Sequence, residues 1–259
     1  MSQRKRGRGG PGLKHAASQV EEVEESSFTQ TQTPSQVQRN LEKRSPGQVD
    51  QKVGEVLQYL LVKDQKKLPI KRADIMKNVV KEYKDIYPEI MNRTGKKLQH
   101  VYGLQLEEID TKNHIYILVN RLQRVEGDNM RVDDNTGKLG LLTVILSLIF
   151  MKGNVTKESV IWETLRRLRL DLGEKNSEFG DLKKLVTEEF VRQKYLEYTR
   201  IPHTEPVEYE FRWGPRAFKE TSKINILKFV SKIQNKAPES WVTHYKEAMA
   251  ESAATAANP

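Results

Sequence analysis

The chain has no cysteine among its 259 residues. That excludes disulfides, thiolate zinc sites and any thiol nucleophile. Long apolar runs are missing too. The longest, Leu139 to Met151, is interrupted by Gly140, Thr143 and Ser147. It falls short of the ~20 residues that cross a bilayer, so it reads as a buried core helix. The first ten residues, MSQRKRGRGG, carry positive charge with no apolar stretch behind them, so no secretory signal is read there. These absences predict a soluble, intracellular protein without membrane contact.

Sites for chemistry are equally scarce. The five histidines, His15, His100, His114, His203 and His244, lie far apart, and none pairs with a carboxylate at metal-ligand spacing. There is no G-x-S-x-G elbow. Gly95-Lys96-Lys97 lacks both the upstream glycine and the following Ser or Thr of a phosphate loop. Adjacent acids such as Glu107-Glu108, Asp133-Asp134 and Glu188-Glu189 point to different faces of a strand or helix, so they do not form acid–base pairs. No catalytic residue, cofactor or metal is expected, which moves attention to interaction surfaces.

The composition is that of a globular protein with a modest core: 37% apolar residues, 44 basic against 35 acidic, net charge +9. The basic excess is spread along the chain. It permits nucleic-acid binding and equally fits a solvated lysine-rich surface. Residues 1–48 are of low complexity, with RKRGRGG, an acidic patch from Glu21 to Glu25 and a Ser/Thr/Gln run up to Ser45-Pro46-Gly47. They are expected to be disordered, as is the tail 251–259.

Between these tails the pattern of elements repeats. In a first module, 49–127, Val53, Val56, Leu57, Leu60 and Leu61 form a helical stripe. Pro69 separates it from a second helix with Ile75, Met76, Val79, Val80 and Tyr83, and a third segment spans Ile86 to Tyr102. Leu104, Leu106 and Glu108 then alternate, as do Ile115, Ile117 and Val119 beyond the turn Asp110-Thr111-Lys112-Asn113, which predicts a hairpin. A Gly/Asp/Asn-rich linker is read at 128–138. The second module, 139–250, repeats the plan with helices at 139–151, 157–172 and 182–194 and a hairpin at 196–213, then adds helices at 215–234 and about 238–250. Three helices followed by a hairpin is the order of a winged helix. The expected fold is mainly α with small β-hairpins (α+β): tandem winged-helix modules.

The run VRQKYLEY…IP…EYEFRWGPRA…ETSK in the second module resembles the MAGE homology domain. The likeness extends through Gly140 to Asn154 and Val53 to Tyr83, over about residues 50–250. Within that family, KDQKKLPIKRADI and RIPHTEPVEYEF are most similar to the branch serving the five/six-type structural-maintenance-of-chromosomes (SMC) complex. Leu182, where a proline is usual, and Thr143, where a methionine is frequent, depart from the family pattern without touching the fold.

The resemblance implies a non-catalytic adaptor in DNA repair and recombination, nuclear and chromosome-associated. It would bind and stimulate a RING-type ubiquitin ligase subunit through Leu60 and Leu61, although the stripe alone favours core packing for both. It would bind a kleisin subunit through Leu227 and Phe229, on a helix whose apolar surface is unusually broad. Any ubiquitin chemistry would belong to the RING partner. Lys183, Lys184, Arg192, Lys194 and Arg200, around the third helix and wing of the second module, are candidates for sequence-independent contact with double-stranded DNA. Lys66, Lys67, Lys71 and Arg72 form a comparable basic cluster in the first. Two other readings stay open: a MAGE cofactor of an unrelated RING ligase, and a stand-alone winged-helix regulator.

Overall fold

The computed structural model of the chain describes residues 33–122, 134–170 and 178–256. The linker residues 128–133 and the terminal stretches 1–32 and 257–259 lie outside these. The second long helix, α2 (Pro46–Gln65), illustrates how the sequence builds the scaffold. Ser45 accepts a hydrogen bond from the Gln48 amide at 3.4 Å, Gln48 reaches back to the Ser45 amide, and Pro46 opens the first turn. From there Val49, Val53, Val56 and Leu60 fall on one face and are buried.

Ahead of it lies α1 (Pro34–Glu42), capped by a similar Thr33–Gln36 box. This corrects the expectation of disorder for residues 34–48. Capping at Thr33 and Ser45, with Val37 and Leu41 packed on the core edge, supplies the order that low complexity concealed. Arg44 locks the corner: it lies 2.8 Å from Asp85, donates to the Glu82 carbonyl at 3.2 Å, and covers the Tyr83 ring.

The first half continues with β1 (Ile70–Lys71) and α3 (Arg72–Ile75, widening into a π turn at Met76–Val80). After a 3-10 segment, Lys81–Ile86, comes α4 (Tyr87–Lys97, with a π turn at Leu98–Tyr102). The hairpin is β2 (Leu104–Asp110) and β3 (Ile115–Asn120). Gly103 is required between α4 and β2. Its φ of +63° is left-handed, and a Cβ there would meet the Leu122 side chain at 2.3 Å.

The second half comprises α5 (Asp134–Met151), β4 (Thr156–Lys157), α6 (Glu158–Arg167) and α7 (Leu182–Lys184, a π turn Leu185–Glu189, then Phe190–Arg192). Its hairpin is β5 (Leu196–Arg200) and β6 (Tyr209–Trp213). Helix α5 therefore starts inside the stretch read as linker. Its nearly all-round apolar sequence from Leu141 to Phe150 fills the second core.

Three further differences from the sequence reading have physical causes. Each hairpin gains a third, two-residue strand, giving sheet orders β1-β3-β2 and β4-β6-β5, all antiparallel. Strands that short carry no periodicity. The helix expected at 215–234 is two, α8 (Pro215–Glu220) and α9 (Lys223–Gln234). Ser222, in extended backbone, caps the second by accepting from Asn225 N. The last helix, α10 (Val242–Ala256), extends through residues expected to be a disordered tail.

Two cores result. The first is largely aliphatic, from Val49 to Leu118, and the second is rich in aromatics, with Phe150, Phe190, Tyr195, Phe211 and Trp213. The described residues are thus mainly α with two small antiparallel sheets. No helix among the described residues is long and apolar enough to cross a membrane.

Candidate interaction surfaces

Helix α2 presents Leu60 and Leu61 differently. Leu60 lies seven residues beyond Val53, two helical turns along the same face, and is fully buried. Leu61 is rotated by about 100° and is half-buried at the core edge. The side chain of Leu60 fills the core, and of the two leucines only Leu61 reaches the surface. Next to Leu61 on the outward face, Val62 is 55% exposed. With Tyr59 it lines a shallow groove of about 350 Å³ bounded by Val79 and Lys81. The sequence reading missed both, because neither belongs to the core stripe.

Helix α9 behaves alike. Leu227 is fully buried in the second core, together with Ile226. Phe229 is half-buried, and Ile233, one turn further on, is 62% exposed. The apolar surface is broad because it has two parts, one facing the core and α10, the other facing out.

The five basic candidates, Lys183, Lys184, Arg192, Lys194 and Arg200, are all exposed. None makes an ion pair with a described residue, in contrast to neighbours such as Lys157 with Glu208 (2.8 Å) and Arg167 with Glu163 (2.6 Å). Lys183 and Lys184 stand in the first turn of α7, the positive end of the helix dipole, where a cation costs about 0.3–1 kcal/mol. Asp181, whose carboxylate accepts from the Lys184 amide at 2.9 Å, offsets part of this. Unpaired cations at an unfavourable helix end contribute nothing to folding, and they supply positive potential to solvent.

The cluster at 66–72 is different. Lys67 pairs with Asp64 at 2.8 Å and Arg72 stacks over the Tyr87 ring at 4.9 Å. In the Trp162–Arg169 stretch, Leu165 is in the core and Trp162 packs beside it, while Leu168 is 53% exposed because the helix ends at Arg167.

One residue that sequence reasoning passed over joins the halves. Arg216, in the GPRA motif at the start of α8, is fully buried. Its guanidinium donates to the carbonyls of Lys67 and, at 3.4 Å, Gln193, and lies 3.5 Å from Asp64 and 3.2 Å from Glu220. The ring of Tyr195 packs under it, and the Tyr195 hydroxyl donates to Glu220 at 2.6 Å. Burial pushes the Glu220 carboxyl above its usual range despite these partners, and burial likewise raises Tyr195.

Gly214 lets α8 approach this point, since a Cβ there would meet the Lys194 carbonyl oxygen at 2.3 Å. Gln193 donates across the joint to the Lys66 carbonyl at 3.2 Å. Glu107 of β2 receives both Lys219 of α8 and Arg121, each at 2.9 Å. Burial works to raise the Glu107 carboxyl, and these two hydrogen bonds outweigh it, so it titrates below the ordinary range. Periodicity gives no sign of such a residue as Arg216. A basic side chain directly after Gly-Pro was the only cue.

Among the described residues no cluster of His, Asp and Glu is arranged to hold a metal.

Comparison with known proteins gives these surfaces a context. Residues 56–223 match the MAGE homology domain. The human "Non-structural maintenance of chromosomes element 3 homolog" is 54% identical over 209 residues, covering 80% of this chain and 69% of that protein. Human "Melanoma-associated antigen D2" is 51% identical over 198 residues, 76% of this chain and 33% of that protein. A chain in the solved structure of the "Nse1-Nse3-Nse4 complex" superposes with a TM-score of 0.78 at 73% identity, covering 80% of this chain and all of that one.

Proposed function

Because the chain belongs to the MAGE homology domain family, we propose that it is the MAGE-type adaptor of a five/six-type SMC chromosome complex, built from two winged-helix modules. The observation that carries this reading is its 73% identity across the whole of a chain in the Nse1-Nse3-Nse4 assembly. The counterpart of Nse1 is its RING ubiquitin ligase subunit and the counterpart of Nse4 its kleisin. The chain is not itself the ligase: it positions and stimulates the RING subunit, and acts in DNA repair and recombination in the nucleus, on chromosomes.

The surfaces divide these tasks. Helix α2 offers the half-buried Leu61 to the RING subunit. Helix α9 offers Phe229 and Ile233 to the kleisin, a helix-in-groove contact. The exposed, unpaired cations of α7, Lys194 and Arg200 bind duplex DNA through phosphates without reading bases. Five such contacts give log affinity a slope of roughly −4 to −5 against log salt.

Affinity purification of the tagged chain from nuclear extract tests the reading, with Leu61→Ala compared to wild type. RING protein, kleisin and SMC subunits are expected from wild type. The RING protein alone is expected to fall about tenfold in the variant, which stays folded because Leu61 is only half-buried at the core edge. Recovery of an unrelated ligase without SMC subunits would leave a MAGE cofactor of a different system and overturn the chromosome assignment.

A further inference from the structure

Helix α9 carries a charge pattern that its core face does not explain. From Thr221 to Pro238 the chain has lysines at 223, 228, 232 and 236 and no Asp or Glu. Lys223 is held by Glu247 at 2.7 Å and Glu251 at 3.1 Å, both on α10. The other three are exposed and make no ion pair with a described residue. At about 100° per residue, Lys228 and Lys232 form a row one turn apart, directly beside Phe229 and Ile233. The outward face is therefore two parallel rows, one cationic and one apolar, about 6 Å long between successive members.

We propose that this face receives an amphipathic helix of the kleisin subunit whose apolar ridge is flanked by acidic residues one turn apart, with Lys228 and Lys232 selecting it by charge. The inference rests on the reading above and adds to it the chemistry of the partner. A nucleic acid fits less well. Phosphates would satisfy the lysines and leave Ile233, 62% exposed, in water, whereas an acidic amphipathic helix satisfies both rows. The polyanion surface is the separate set of cations on α7, which has no exposed apolar row beside it.

The test uses the full chain and the purified kleisin subunit, titrated at low and high ionic strength. The double variant Lys228→Glu, Lys232→Glu is expected to bind at least tenfold more weakly at low salt and to lose the salt dependence. Ile233→Ser is expected to weaken binding severalfold while the salt dependence stays. All three side chains are exposed, so melting midpoints remain those of wild type. If kleisin binds wild type and the charge-reversed variant alike, with equal salt dependence, the inference fails and the adaptor reading stands. Loss of duplex DNA binding with kleisin binding intact would assign the face to nucleic acid and overturn it. Failure of kleisin to bind wild type would remove the adaptor reading and this inference together.

Discussion

Helices α4 and α7 occupy the same place in the same element order, yet they use their charges in opposite ways. On α4, Arg93 is tied to Glu89 at 2.7 Å and reaches toward Asp50 at 3.5 Å, and Lys96 and Lys97 lie in the last turn, where cations complement the helix dipole. On α7, Lys183 and Lys184 lie in the first turn and Arg192 in the last, none paired with a described carboxylate. The first arrangement stabilises its helix throughout, whereas in the second only Arg192 complements the dipole and the two lysines oppose it. The difference teaches that a repeated topology places helices without assigning their work, which the side chains decide. The cores differ in the same sense: the first is closed by aliphatic side chains and the second by aromatic ones stacked across strands, such as Tyr198 on Phe211 at 4.6 Å.

The sharpest way to break the equivalence of the halves is to remove one aromatic. Phe211→Ala, fully buried between Tyr198 and Trp162, is expected to cost about 3–5 kcal/mol. Leu60→Ala, in the first core, is expected nearer the lower end of the 2–5 kcal/mol range for such changes, about 2–3 kcal/mol. Denaturant unfolding of the two variants checks this, and equal losses would mean that the two cores are equivalent.

Next in size is the joint. Arg216→Ala leaves Asp64 and Glu220 facing each other and is expected to cost about 3 kcal/mol. It should also split one unfolding transition into two, visible by calorimetry, as the halves lose the most buried of the contacts that couple them.

The smallest effect lies at the edge of the joint. The lowered Glu107 carboxyl contributes stability that is present above its ordinary titration range and is lost as pH falls through the lowered value. Lys219→Ala is expected to change stability by less than about 1 kcal/mol at neutral pH, since Lys219 is 42% exposed. The difference from wild type should vanish in acid. A difference that instead grew as pH fell would assign the tie to something other than this ion pair.

Much of the architecture was legible in the sequence, because period and punctuation report it directly. The stripe of α2, the Pro69 break, the turn Asp110–Asn113 and the alternation from Leu196 to Trp213 each name an element through local physics. The two-residue strands β1 and β4 were not legible, since they exist only where an antiparallel partner lies alongside. Helix α1 was hidden by a polar composition whose caps outweigh it.

The sequence alone determined the repeated helix–hairpin order, the absence of thiol chemistry and the family likeness, all of which depend on residue type and spacing along the chain. Only the tertiary structure decided which of two adjacent leucines is core: Leu60 and Leu61 differ by 100° on a helix whose inward direction is set by α4 and β3. It also placed Arg216 between carbonyls and carboxylates far apart in sequence, and it left Ile233 in water beside Lys232. Burial and pairing belong to the packed arrangement, and no local pattern carries them.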